Sequence, residues 1–152
     1  MKLLLFVSLF LSLNINAKIF KSSVIESVVL KNEILLPSKK LVIVATTKTT
    51  DHDCELLAYN SENKEVLLPS ESSLKIQQEK VRSGVFKLEA GFPEAETITY
   101  IPLKSSELNI ELAIKCHSSI FGTVSEARFY VLAPQKALKL FPNELETIKS
   151  KK

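Results

Sequence analysis

The alternation of apolar and polar side chains constrains the fold of this chain more than any other feature. The segment LNIELAIKC, from Leu108 to Cys116, places an apolar residue at every second position. Successive side chains of a β-strand point to opposite faces, so this period of two predicts a half-buried strand with Cys116 on the inward face. The segment CELLAY predicts a second strand of this kind, with Cys54 on its inward face.

Short strands separated by turns are predicted along most of the chain. The loops LPSKK, LPSESS, GFPEAE and PLKSSE combine proline, serine, glycine and charge, the composition of surface turns. About eight to ten strands of this kind predict an all-β fold, an antiparallel β-sandwich of the jelly-roll or Ig-like type. The other candidate strands are 24–30, 41–45, 74–79, 85–90, 97–101 and 127–133.

Two segments receive more specific predictions. LVIVA, residues 41–45, is apolar on both faces and therefore predicts a central strand. The final segment, PQKALKLFPNELETIKSKK, predicts a short C-terminal helix, because Pro142 suits a first helical position and Glu144 suits a first turn. Leu145 and Ile148, three residues apart, would share one face of that helix.

One six-residue pattern occurs twice. EILLPS at 33–38 and EVLLPS at 65–70 lie 32 residues apart and differ only by Ile34 against Val66. A duplicated strand-and-turn unit would produce this recurrence, and so would two strands that converge on similar Pro-Ser turns. The sequence leaves both explanations open.

The N-terminal residues have the layout of a secretory signal. Lys2 is followed by an apolar run from Leu3 to Leu13, then by polar and small residues that end at Ala17. The run is much shorter than the roughly 20 residues that a membrane-spanning helix needs. We therefore predict a signal peptide at 1–17 and a single domain at 18–152, exported to a bacterial periplasm, to the cell surface or to the medium.

The composition of the chain limits the classes of partner that it is expected to bind. The formal net charge of the whole chain is only +3, and Arg82 and Arg128 are its only arginines, so we expect neither nucleic-acid binding nor stable membrane insertion after signal cleavage. Gly84, Gly91 and Gly122 lie too far apart for a glycine-rich phosphate loop. A protein partner remains the expected kind of ligand, and no cofactor is predicted.

The two cysteines each have a histidine close by. Cys54 follows His52 at two residues, and Cys116 immediately precedes His117. A disulfide needs only the two inward-facing cysteines and an oxidising compartment, and two facing sheets of a sandwich could bring them together. The alternative is a metal site with His52, Cys54, Cys116 and His117 as ligands, although the C-H spacing places its two side chains on opposite faces of a strand.

Catalytic constellations are hard to assemble. Asp51 and Asp53 flank His52 but fit a turn better than a calcium loop. No serine lies in a recognisable nucleophile motif, so an unrecognised secreted hydrolase is a weak alternative. The sequence therefore predicts a non-enzymatic binding or structural module that docks a protein partner at an exposed strand edge, with a periplasmic metal-binding protein as the competing class.

Export predicts a specific mature protein. Cleavage after Ala17 should leave a chain that begins at Lys18, because the small residue ends the signal layout. Intact-mass measurement of protein from an extracytoplasmic fraction checks this expectation. A full-length mass, or recovery from the cytosol alone, would contradict it.

Overall fold

The computed structural model describes residues 25–88 and 94–149, so the predicted signal peptide at 1–17 lies outside the described residues. Strands account for most of these residues. The strands are β1 Ile25–Leu30, β2 Ile34–Leu36, β3 Leu41–Lys48, β4 Asp53–Asn60, β5 Val66–Leu68, β6 Ser73–Ile76, β7 Arg82–Leu88, β8 Glu94–Ser105, β9 Ile110–Phe121 and β10 Leu145–Lys149. The helices are short: a 3-10 turn Gln78–Lys80, α1 Val124–Ala127 continued by the 3-10 turn Arg128–Tyr130, and α2 Pro134–Leu138.

Eight of the ten strands form one antiparallel sheet. Its order is β10-β1-β6-β8-β9-β4-β3, and β7 pairs with the first half of β8 beside β6. β2 and β5 form a separate two-stranded ribbon. The predicted antiparallel, all-β character is confirmed, but the eight strands lie in a single curled sheet, a half-barrel, where two facing sheets were expected.

The core fills the inner face of the curled sheet. β8 and β9 are 12 residues long each, and alternate positions along both are buried, as the period of two predicts. The ribbon adds Leu36 and Leu68 to the same core. The segment between β9 and β10 adds Ala137, Leu138 and Phe141 from α2 and the turn after it, so helix and ribbon together cover the face that a second sheet would cover in a sandwich.

The segment 127–133 was predicted as a strand and forms none: Ala127 ends α1, Arg128–Tyr130 form the 3-10 turn, and 131–133 have no regular secondary structure. Thr123 starts α1 with a capping box: its hydroxyl accepts a hydrogen bond from the Glu126 N–H, and the Glu126 carboxylate accepts one from the Thr123 N–H. These bonds to Thr123 also lower the pKa of Glu126. Alternation in ARFYVLA was therefore misleading, because the decisive helix signal lies four residues before that segment.

The C-terminal helix lies earlier than predicted. α2 starts with Pro134 in its first turn, whereas Leu145–Lys149 forms strand β10 and pairs with β1 from Leu30 opposite Leu145 to Ile25 opposite Lys149. A local pattern of proline and glutamate carries no information about the edge of β1 that is free to pair. Pairing with that edge outweighs the weak helical signal of the last residues.

The strand LVIVA, predicted to be central, lies at an edge. Among the described residues β3 pairs with β4 alone, and Leu41 and Ile43 are exposed. Only the opposite face of β3 packs against the core, through Val42, Val44 and Ala45. The prediction was wrong because it inferred from the apolar residues on both faces of this strand that both faces are covered.

The repeated hexapeptides pair with each other. Ile34 lies opposite Leu68 and Leu36 opposite Val66, so the two copies form the ribbon. Each copy ends in a turn with a residue of positive φ, Lys39 in the first and Glu71 in the second. Positive φ is uncommon for residues other than glycine, and its occurrence at matching positions shows that the two turns share one geometry.

The equivalence extends into the flanking strands. Val29 of β1 lies opposite Ser73 of β6, and Tyr59 of β4 lies opposite Leu41 of β3. The Leu30 N–H bonds to the Ser72 carbonyl at 3.0 Å, and the Asn60 N–H bonds to the Lys40 carbonyl at 3.5 Å. Leu41 and Ser73 are 32 residues apart, as are the two hexapeptides. The repeat therefore marks two structurally equivalent units, in which β1 corresponds to β4 and β6 corresponds to β3.

Asn60 fastens the ribbon to the end of β4. Its side chain is fully buried, and its amide nitrogen lies 3.1 Å from the Leu36 and Pro37 carbonyl oxygens and 2.8 Å from that of Lys64. Its carbonyl oxygen accepts a bond from the Glu62 N–H at 2.9 Å. Buried polar groups need such partners, and this one side chain contacts four backbone groups, with its two N–H groups shared among the three carbonyl oxygens.

We expect Asn60→Ala to lower the free energy of unfolding by about 2 to 3 kcal/mol, because it removes this donor from the buried Leu36 carbonyl and from the partly buried carbonyls of Pro37 and Lys64. Ser61→Ala is the control: its exposed hydroxyl bonds to the Asn109 carbonyl, and its removal should change stability by less than about 0.5 kcal/mol. Denaturant unfolding measures both. Equal stability of the two variants would show that the Asn60 bonds do not hold the ribbon.

Candidate functional site

The two cysteines lie side by side on adjacent strands. Cys54 on β4 is the register partner of Cys116 on β9, with Cα atoms 4.0 Å apart and Sγ atoms bonded at 2.04 Å. Both residues are about 1% exposed. The predicted disulfide is therefore present, but it joins neighbouring strands of one sheet and does not bridge two sheets.

The disulfide stabilises the attachment of the sheet's last two strands. It closes a loop of 62 residues, which in the chain-entropy model contributes about 4 kcal/mol by restricting the unfolded chain. β3 is attached to the sheet through β4, and β4 is attached through β9. The bond between β4 and β9 therefore also secures β3 indirectly.

The two histidines point to separate environments. His52 precedes β4, and its Nε2 lies 2.6 Å from the Tyr130 carbonyl oxygen of the helical segment. His117 is half-buried on β9, between Asp53 of β4 and Ile98 of β8. Because His117 follows Cys116 directly in a strand, its side chain lies on the opposite face from the disulfide.

The four residues of the alternative metal site do not form one cluster. The sulfur atoms are bonded to each other, and neither is free to bind a metal in this state. Over residues 25–88 and 94–149, no three His, Cys, Asp or Glu side chains are grouped in a way that could hold a metal ion. Asp51 is exposed in the β3–β4 turn, and Asp53 lies 3.4 Å from the Lys48 ammonium in an exposed ion pair.

The buried polar groups of the described part of the chain all have hydrogen-bond partners. Thr99, for example, is about 1% exposed, and its hydroxyl lies 2.5 Å from the Leu132 carbonyl oxygen, which the exposed Ser83 hydroxyl also contacts. These contacts fix the link between the 3-10 turn Arg128–Tyr130 and α2 to the sheet.

The outer edge of β3 is the most distinctive surface of the sheet. In the described residues, no strand pairs with this edge. The bond from the Asn60 N–H to the Lys40 carbonyl makes Leu41 and Tyr59 a non-hydrogen-bonded pair of the β3–β4 ladder. Backbone groups at such positions point away from the partner strand, so those of Leu41 and, two residues on, Ile43 point toward the open edge.

The side chains at these two positions are also exposed. Leu41 is 59% exposed, Ile43 is 56% exposed, and the neighbouring Tyr59 on β4 is 41% exposed. Together these three residues form an apolar surface beside unpaired backbone donors and acceptors, which we call the β3 edge. The run from Leu41 to Thr47 contains no charge, proline or glycine.

Among the described residues, the other open edges of the eight-stranded sheet are protected differently from β3. β10 is only five residues long and carries the exposed Glu146, and β7 carries Arg82 and Gly84. Charge, short length and glycine are the usual means by which proteins prevent edge-to-edge pairing. β3 has a bulge at Val44 and ends with the charged Lys48, but both lie beyond the exposed Leu41 and Ile43.

Sequence reasoning predicted an exposed edge but did not locate it. The signal was present in LVIVATT, an uncharged run of β-branched and apolar residues followed by Lys48. That run has the same appearance in a central strand and in an unprotected edge strand, and only pairing distinguishes the two.

Comparison with protein-family models, with curated proteins and with solved structures finds no match for this chain. The described residues contain no helix long and apolar enough to cross a membrane.

The disulfide leads to a direct chemical test. Thiol titration of the denatured protein should find no free thiol before reduction and two afterwards, because Cys54 and Cys116 are bonded to each other. Reduction should lower the free energy of unfolding by up to about 4 kcal/mol and shift the melting temperature downward.

A Cys54→Ala, Cys116→Ala double variant is the control, since reductant should not change its melting temperature. Elemental analysis of the same wild-type sample covers the competing site. Two free thiols without reductant, together with near-stoichiometric zinc or copper, would replace the disulfide with the four-residue metal site.

Proposed function

We propose that this protein is an exported, non-enzymatic binding module that docks a protein partner by strand addition to the β3 edge. The observation that carries the proposal is the combination of outward backbone groups and exposed apolar side chains at Leu41 and Ile43. An added strand would bond to those backbone groups and cover those side chains.

Strand addition suits the architecture of this protein. Main-chain hydrogen bonds contribute affinity, and the exposed side chains select for apolar residues at alternate positions of the partner. In this proposal the protein works as a secreted β-sandwich binding module would. The sheet, the ribbon and the helices between β9 and β10 hold the edge strand β3 in an extended conformation. The Cys54–Cys116 bond supports this role because it fastens the strand next to β3.

Two observations support export. A buried disulfide is typical of proteins that fold in an oxidising compartment, such as a periplasm or the outside of a cell. The N-terminal residues have the charge, apolar run and small residue of a secretory signal. Together they favour a partner that is itself extracytoplasmic.

The proposal predicts which variants lose the partner. Ile43→Lys places a charge in the docked strand's path, and Ile43→Pro removes an outward N–H that the β3–β4 ladder does not use. Both should abolish capture of partner protein from an extracytoplasmic extract while leaving the fold intact. Pull-down with mass-spectrometric identification of the bound protein measures this.

Two sets of controls make the test specific. Ile148→Lys introduces the same charge at a 44% exposed isoleucine on a different edge strand, β10, and should bind as wild type does. Alanine variants of the polar candidates should also bind normally; these are Asp51, His52, Asp53 and His117. Loss of capture by a folded His52→Ala or His117→Ala variant would instead favour a metal-binding or catalytic role.

A further inference from the structure

We infer that the strand added to the β3 edge is β3 of a second copy of this chain, antiparallel and centred on Val42. The inference rests on the proposed strand-addition function and names its partner. Three features of β3 carry it: the spacing of its outward backbone groups, the positions of its exposed apolar side chains and the positions of its lysines.

The backbone groups restrict the register. Two antiparallel strands bond only where outward groups face outward groups, and in the first part of β3 these belong to Leu41 and Ile43. A twofold axis through Val42 places Leu41 of one copy opposite Ile43 of the other, and the reverse. Both residues of each copy are then used, which is the self-complementarity that a symmetric dimer interface requires.

The side chains agree with this register. Leu41 and Ile43 lie on the same outer face of β3 and are 59% and 56% exposed. In the dimer each Leu41 would contact Ile43 of the partner on one side and its own Tyr59 on the other, because Tyr59 is its register neighbour on β4. Directly opposed apolar pairs of this kind stabilise antiparallel sheets.

The lysines make the neighbouring register less favourable. β3 is preceded by Lys39 and Lys40 and ends with Lys48. With the axis at Val42, Lys40 of one copy faces Val44 of the other, and no lysine faces a lysine. With the axis at Leu41, the two Lys40 residues lie on either side of the Leu41–Leu41 pair, and Lys39 of one copy faces Ile43 of the other. Charge repulsion between the lysines and loss of the Leu41–Ile43 contact both disfavour this register.

Bonding across the β3 edge would join the two eight-stranded sheets into one continuous sheet. The bulge at Val44 ends the regular part of β3, so the pairing would centre on a short segment. A short interface fits a reversible dimer, and we therefore expect its population to depend on protein concentration.

Sedimentation velocity of the disulfide-intact protein over a concentration series tests the inference. We expect the weight-average mass to rise toward twice the monomer value. Ile43→Lys and Ile43→Pro should remain monomeric at every concentration, and Ile148→Lys, the matched charge on β10, should dimerise as wild type does. A monomeric wild type, or equal loss of the dimer in Ile43→Lys and Ile148→Lys, would overturn the inference.

A second variant tests the register itself. Val42→Cys places a thiol on the proposed axis, where it should form an intermolecular disulfide that appears as a covalent dimer on a non-reducing gel. Ala45→Cys, on the same strand and also facing the core, lies off the axis and should not form one. A concentration-dependent dimer without the Val42→Cys bond, or with an equal Ala45→Cys bond, would reject the register.

The pull-down described above separates this inference from the proposed function. A monomeric wild type that still captures a different protein through Ile43 would end the inference and leave strand addition standing. A monomeric wild type whose capture is indifferent to Ile43 would end both.

Discussion

The antiparallel pairing of β8 with β9 is the interaction on which the rest of the structure depends. These two strands are the longest in the described chain, and they pair from Glu94 opposite Phe121 to Lys104 opposite Glu111. Their alternate side chains supply much of the buried face of the sheet. β8 then carries β6 and β7 on its outer edge, and β9 carries β4, so every other strand of the sheet is attached through this pair.

The two ends of the sheet are completed differently. On the β8 side the structurally equivalent unit is enclosed, because β6 pairs with both β1 and β8. On the β9 side β3 occupies the position equivalent to β6 but, within 25–88 and 94–149, pairs only with β4. In one unit of the internal repeat, β8 pairs with the outer edge of β6. The β3 edge lacks a strand at the equivalent position. This comparison gives the strand-addition proposal its structural basis.

Stability and docking are linked through the disulfide. Edge strands are often the first parts of a sheet to open, since few contacts hold them. Here the covalent bond between β4 and β9 restricts separation of the neighbouring strand. The Lys48–Asp53 pair in the adjoining hairpin is exposed and contributes little by comparison. An extended β3 would therefore be retained without a strand on its outer side.

Local sequence signals determined a large part of this protein. The period of two in LNIELAIKC and CELLAY correctly placed β9 and β4 and the inward faces of Cys116 and Cys54, because side-chain alternation is a property of a single strand. The same parity made the disulfide predictable. Pro-Ser turns likewise marked the ends of β2 and β5 correctly.

Only the tertiary structure decided which strands are neighbours. LVIVA was wrongly assigned to the centre of a sheet, and the last residues to a helix, because the sequence of a segment does not state whether another strand reaches its edge. The two EΦLLPS copies, where Φ is Ile34 or Val66, could be recognised as similar, but their mutual pairing depends on the path of the chain between them. The sequence by itself determined strands, turns and inward faces, which are local; pairing order determined the open β3 edge, because long-range hydrogen bonding and burial depend on the whole chain.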